Sequence, residues 1–435
     1  MISGRKMMLS VLVLLLVFAF TAAVEAEEPE LNLWQHEFVI DWQGREAVVE
    51  FFEENTELNV SDDYGPAGFD SIEEQFIVQA RTGYPDVVEG TPEQMFSYQE
   101  AGLLQSLDEF WQDYEDRDQY PDALLEALEI DGELYGLPYS HNVRMLLYRE
   151  SVFEEHDLEV PENWEELVET AAYISENVED MQGFIFTSEA QEVRVMQEFL
   201  TFYYQLNNDG LFEAESDPAE LLATQDQLEE VLTLYYDMYT EGGVDMDERG
   251  SDWMRTDYGY TGGDFAMVTV GPWVWGHRAD DEAAAEVLDD TGITHPPVHE
   301  EGDPATFMEV APMMINAHTD HPELSWELLQ EVTSKDFQLL INTLSGAQAA
   351  REDAQEQEAI EQLIAERDDI DEDMAGDWWL AGFSEYADIG VAPAAISWDR
   401  VEDYIIDSVQ QVLYEQQTPA EAAEELYFNL DELEL

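Results

Sequence analysis

Short runs of Val, Ile, Leu, Phe and Met alternate along the chain with longer stretches whose apolar residues recur every three or four positions. The first pattern predicts strands and the second amphipathic helices. Leu31 to Trp34, Leu58 to Val60 and Asp86 to Val88 are the first three expected strands. Each leads into a helix: through Ala47, Val48, Phe51 and Phe52, then Ile72, Phe76, Ile77 and Ala80, then Pro92 to Ala101. Later strands are expected at Tyr135 to Pro138, Met145 to Tyr148, Phe184 to Phe186, Phe265 to Val270 and Met313 to Asn316. Leu228, Val231, Leu232, Tyr235, Tyr236 and Tyr239 mark one long later helix, and Val401, Ile405, Val409, Val412 and Leu413 another. Thr418-Pro419, with Glu421 in the capping-box position, starts a last one. Strands alternating with helices predict an α/β fold with mostly parallel sheets. About 409 residues follow the amino-terminal leader described next, which predicts two domains.

The amino terminus departs from that pattern. Arg5 and Lys6 precede an apolar run from Met7 to Phe20, and Val24 and Ala26 supply small residues around Glu25. This is the layout of a secretory signal peptide cleaved after Ala26. The rival, a membrane anchor, needs roughly 20 apolar residues, and the run is shorter. The chain has no cysteine, which removes disulfides, thiolate metal sites and the lipid-attachment cysteine of many secreted bacterial proteins. A freely diffusing protein of the periplasm, or one released to the medium, is expected.

Charge changes the picture most. Asp and Glu number 102 against 15 Lys and Arg, a net −87, which becomes −88 once Arg5, Lys6 and Glu25 leave with the leader. The acids are spread along the whole chain rather than gathered in a tail. Screening over about 8 Å at 0.15 M salt leaves heavy self-repulsion, whereas at 1 M the length falls to about 3 Å. The distribution fits a surface adapted to very high salt. An electrostatic trap for polyamines or other cations is the functional alternative. Nucleic acid and anionic lipid are poor partners for such a surface, and no nucleic-acid partner is expected.

Reactive constellations are missing: the chain has no G-x-S-x-G elbow, phosphate-binding loop or dinucleotide fingerprint, and His36-Glu37 lacks a second histidine at the right spacing. Acidic pairs that would suit a glycosidase are too frequent here to carry information. No cofactor or metal is expected, and the histidine pairs His295/His299 and His318/His321 lack a third ligand.

Several collinear segments carry a resemblance. Pro85-Asp86-Val87-Val88 is followed by Gly102-Leu103-Leu104 and Leu107-Asp108, then by Asp131-Gly132-Glu133-Leu134-Tyr135-Gly136-Leu137-Pro138. Leu147-Tyr148-Arg149 and Pro161-Glu162-Asn163-Trp164-Glu165-Glu166-Leu167 come next, then Gly263-Asp264-Phe265-Ala266-Met267 with Gly271-Pro272-Trp273, and finally Thr418-Pro419-Ala420-Glu421-Ala422. Together these resemble the bacterial extracellular solute-binding family typified by maltose/maltodextrin-binding protein, the sugar receptors of ABC importers. The resemblance implies a two-lobed, type II binding-protein fold whose chain crosses a hinge three times, here near Tyr139 to Val143, Phe307 to Pro312 and Thr343 to Gln348. The lobes then comprise residues 27–140 with 312–343, and 141–311 with 344–435. The implied protein is a non-catalytic monomer that closes on a sugar or oligosaccharide and hands it to membrane permease subunits.

The same resemblance implies stacking tryptophans at Trp273 and Trp398, with Trp275, Trp378 and Trp379 as further candidate walls. Glu93 and Asn142 align with ligand-contacting acids, and Tyr139 lies on the first crossing. His36 and Glu37 sit after the first strand, at the end where open α/β sheets bind ligands. Gly90 and Gln94 stand where maltose binders have Trp and Arg, which points away from maltodextrin itself while keeping a carbohydrate.

Overall fold

A computed structural model describes residues 29–35, 45–61, 64–66, 69–213, 219–279, 282–355, 386–393 and 396–433. The leader, His36, Glu37, Trp378 and Trp379 lie outside the described residues.

Two sheets organise the chain. In the first, strands run in the spatial order Gln348–Ala349, Gly136–Val143, Thr306–Ile315, Val87–Glu89 and Leu33–Trp34, with Gly390–Val391 beside Thr306–Ile315. In the second the order is Thr291–Thr294, Met145–Arg149, Phe265–Val270 and Gln182–Ile185. The two-lobed α/β fold is as expected, but the sheets are mixed rather than mostly parallel. Leu33–Trp34 pairs parallel with Val87–Glu89, and Gln182–Ile185 with Phe265–Val270. Gly136–Val143 and Thr306–Ile315 lie antiparallel, because one carries the chain out of the first sheet and the other brings it back. A chain that returns through a neighbouring strand has no crossover helix to make the pair parallel.

Strand Gly136–Val143 is buried at every position and passes through Arg144 directly into Met145–Arg149 of the second sheet. Thr306–Ile315 makes the return: Ala305 and Phe307 pack in the second core and Met308 and Val310 in the first. At the end of the crossing expected at Thr343 to Gln348, Gln348 and Ala349 pair with His141 and Ser140 of the first crossing strand. Just beyond, Arg351 is held by Asp353 and by Asp116 at 3.1 Å, with its backbone N–H on Gln338.

The helices follow their signals. Thr91, Thr224 and Thr418 each close a capping box with the side chain three residues on. Helices Gln225–Thr240, Asp399–Leu413 and Pro419–Asp431 pack on one another in the second lobe. One helix has no counterpart in the expectations. Val193–Leu206 buries an unbroken run from Val195 to Gln205. Its apolar residues recur at helical spacing, and Arg194, Gln197, Glu198, Thr201 and Gln205 share the opposite, polar face; that face is buried as well.

Candidate functional site

The junction between the sheets collects polar side chains from both lobes. Gln35 follows the strand Leu33–Trp34 at its carboxyl end. Glu93 sits in the first turn of helix Pro92–Glu100, just after Val87–Glu89. Thr91 fixes that turn: its hydroxyl accepts from the Gln94 N–H at 3.3 Å, and the Gln94 side chain accepts from the Thr91 N–H at 3.2 Å. Tyr139 and His141 lie two residues apart on strand Gly136–Val143, Tyr139 where the register on Thr306–Ile315 slips between Ala311 and Pro312. Arg144 stands where that strand leaves the first sheet, and Glu309, the Cα partner of Asn142, comes from the returning strand.

Most of these groups are closed off from solvent, and several have donors or acceptors with no protein partner. Arg144 is 1% exposed and Glu93 8%. Glu93 Oε1, His141 Nδ1 and Arg144 Nε and Nη1 make no hydrogen bond within the protein, whereas the Gln35 side chain lies within hydrogen-bonding reach of the Tyr139 hydroxyl. Native interiors leave few such atoms; His141 and Arg144 carry some of them on the crossing strand, and others lie elsewhere, among them the Tyr98 and Tyr235 hydroxyls.

The titrations follow from burial. Burial raises the Glu93 carboxyl above its usual range, Thr91 hydrogen bonding and the Arg144 charge oppose this, and Glu309 adds to it. Glu93 in turn helps to raise the Tyr204 hydroxyl, which is raised chiefly by burial. Helix Val193–Leu206 therefore brings its Tyr204 within electrostatic reach of Glu93. Burial lowers the His141 imidazole to about 4, leaving it neutral. It also raises Tyr139 well above the phenol range, with Glu89 contributing.

Arg144 links the crossings to the second lobe. Its Nη2 donates to Glu309 at 3.1 Å and to the Gln197 side chain on helix Val193–Leu206. Its guanidinium lies 4.3 Å from the Trp273 ring centre. Trp273 follows strand Phe265–Val270 and folds back over Gly271, where an added Cβ would come within 1.9 Å of the indole. The indole Nε1 donates to Asp257 at 2.9 Å, and the other oxygen of that carboxylate accepts from Arg194 at 2.5 Å. Arg194 is itself 5.1 Å from the same ring. Behind it Glu198 accepts from the Thr187 N–H and hydroxyl at 2.9 and 2.8 Å, and burial pushes its carboxyl up to about 8.

The structure thus links Glu93 to Trp273 through Arg144, and adds Arg194 and Glu309; Tyr139 stays on the first-lobe side, near Gln35, Glu89 and, at 6.2 Å, Phe337. Arg144 sits between two strands whose apolar runs drew attention, and Arg194 lies on the polar face of a helix that was not anticipated. Their rarity on so acidic a chain was the signal available. Asn142 lies on the crossing strand, but its Oδ1 accepts from the Gln348 N–H at 3.2 Å, pinning the sheet edge. Trp275 is 2% exposed in the first core. Trp398, at 1%, precedes helix Asp399–Leu413 in the second core and meets Phe212 edge-on at 6.3 Å. Trp398 and Trp273 belong to different cores.

This architecture is that of a two-lobed binding protein, with partnerless polar groups where the lobes meet. A family model described as bacterial extracellular solute-binding protein matches residues 47–366, and the chain belongs to that family. No curated protein matches significantly. Similar solved structures include a maltose-bound MalE3 of T. maritima, 17% identical at TM-score 0.76, covering 92% of this chain and 99% of that one. A solute-binding protein of Thermotoga lettingae bound to α-D-tagatose is 20% identical at TM-score 0.77, covering 93% and 100%. One from Agrobacterium radiobacter in complex with ribitol is 19% identical at 0.71, covering 92% and 98%.

Proposed function

We propose that this protein is the receptor subunit of an ABC importer, capturing a sugar or sugar alcohol between its lobes and delivering it unaltered to a membrane permease. The observation that carries this reading is the set of buried, partnerless polar atoms on Glu93, His141 and Arg144. Hydroxyl groups both donate and accept, so one polyol satisfies such a mixed set. Closure of two lobes on a few hinge residues then excludes water and presents a shape that a permease reads. That fold neighbours hold maltose, tagatose and ribitol supports the choice of class. The segment from Arg5 to Ala26, read as a secretory leader, fits a receptor that works outside the cytoplasm.

A polyamine or other cation is less well served. Arg144 and Arg194 stand inside the junction, and burial holds Glu93 toward its neutral form. Thermal-shift and calorimetric titration in high salt, with neutral sugars and alditols against spermidine, tests the reading. Stabilisation by a neutral polyol, recovered intact by mass spectrometry, is expected. Stabilisation by spermidine alone, or conversion of the sugar, overturns it.

A further inference from the structure

Trp273 does not present a bare ring. Two guanidiniums face it, Arg144 at 4.3 Å and Arg194 at 5.1 Å, and its Nε1 is spent on Asp257. Both cations are anchored, Arg194 by Asp257 and Arg144 by Glu309. A sugar ring stacking in place of Arg144 must move that guanidinium off the indole and break a largely buried ion pair, which is costly. Arg144 meanwhile keeps Nε and Nη1 without a protein partner. Unpaired donors on a buried cation are expensive, and a ligand oxygen relieves that cost. A guanidinium laid against an aromatic ring is held in one plane, so its free N–H groups point in fixed directions.

We propose that Arg144 is the residue that meets the ligand, through Nε and Nη1, and that Trp273 is a positioning residue holding the guanidinium flat. The assignment rests on reading the junction as a sugar or polyol site, and it narrows the class. The ligand is a neutral polyhydroxylated molecule of about one sugar unit, recognised by its oxygens rather than by a ring face. Open-chain alditols therefore bind as well as cyclic sugars. Neither cation offers an unmatched charge, since Glu309 and Asp257 already pair them.

The test is calorimetry in high salt on the full chain, using glucose with glucitol, mannose with mannitol, galactose with galactitol, and maltose. In the hexose and hexitol pair that binds, Trp273→Ala is expected to weaken both members by the same factor, about tenfold or more. Arg144→Met is expected to do likewise, and the double variant to bind no more than about twofold worse than either single one. Arg144→Lys keeps the charge but not the planar fork, and does not restore affinity. A Trp273→Ala loss at least about tenfold greater for the hexose than for the hexitol overturns the assignment, as do factors that multiply in the double variant. Wild-type binding of maltose alone, or of the hexose without the hexitol, also overturns it while the sugar reading stands. No binding to any of the seven sinks the sugar reading itself. Melting curves check each variant for folding. Should Arg144→Met not fold, Trp273→Phe against Trp273→Ala gives the hexose-to-hexitol ratio, and that ratio decides alone.

Discussion

Trp398 and Trp273 look alike in the sequence, each a tryptophan beside an element end, yet their surroundings have opposite chemistry. Trp398 lies among Ile396, Val401 and Phe212 in a core of aliphatic and aromatic side chains. Trp273 lies among Arg144, Arg194 and Asp257, with Glu198 and Glu309 reached through those arginines. An apolar neighbourhood holds a large ring by area and dispersion alone. A charged neighbourhood fixes its directions, because every donor needs an acceptor at the right place. The first site is built for stability and the second for orientation, and each prediction below separates them.

The largest effect acts on both at once. Around both regions lies a surface of 102 acids against 15 basic residues. Lowering the salt lengthens the range of repulsion from about 3 Å at 1 M toward 30 Å at 0.01 M. Loss of helical structure on dialysis to low salt is expected, followed by circular dichroism. Full retention of the spectrum breaks the account of the acidic surface.

Next comes Trp398→Ala, which removes a buried ring from a dry core and is expected to cost about 3–5 kcal/mol. A denaturant melt reads that loss, and calorimetry on the folded fraction should show unchanged affinity. A binding defect with normal stability would move Trp398 into the site. The pH response should separate the regions further. Folding holds the Glu198 carboxyl at about 8, against 4.5 for the free group. Its contribution is therefore complete below pH 4.5 and is lost as pH climbs toward 8. His141 runs the other way, losing its contribution as pH falls from 6.5 toward 4. Between 6.5 and 8 the Glu198 slope stands clear of it. There Glu198→Gln is expected to flatten a decline on the order of a few kcal/mol, visible as melting temperature against pH. An unchanged slope would locate the proton elsewhere.

This contrast explains what the sequence disclosed. The capping boxes at Thr91, Thr224 and Thr418, the short strands, and Gly271-Pro272-Trp273 are local signals, and local signals survive in a one-dimensional reading. Glu93 and Tyr139 were legible from motif position. Arg144 and Arg194 were not, because their meaning comes from meeting one ring, Trp273, that stands 129 and 79 residues further along the chain. Helix Val193–Leu206 was hidden for a related reason. Its polar face of Arg194, Gln197, Glu198, Thr201 and Gln205 reads as a solvated one, whereas Gln197 and Glu198 point into the protein rather than away from it. The antiparallel crossings were hidden too, since strand direction is set by the return of the chain between lobes.

Gly271→Ala is a smaller and sharper test. A Cβ there would stand 1.9 Å from the Trp273 ring, so the indole has to swing away from Asp257 and from under Arg144. Overpacking of this kind costs about 1–3 kcal/mol of stability. Ligand affinity is expected to fall about tenfold. Binding left intact by a displaced indole would mean that Arg144 needs no ring behind it.

The smallest expected effect concerns the opposite wall. Thr91→Ala removes the cap of helix Pro92–Glu100 and the hydroxyl that helps to hold the Glu93 carboxyl in its ionised form. A lost cap costs about 1 kcal/mol, so the melting temperature should drop by roughly 2 °C. Glu93 then titrates still higher, and its Oε1, already partnerless, is less firmly aimed. Affinity should fall only a few-fold, because Arg144 and the second-lobe wall are untouched. A Thr91→Ser control keeps the hydroxyl and should bind as the wild type does. If Thr91→Ala instead abolished binding while melting normally, the aim of Glu93 would matter more than that of Arg144, and the first lobe, rather than the charged ring of the second, would hold the determinant of specificity.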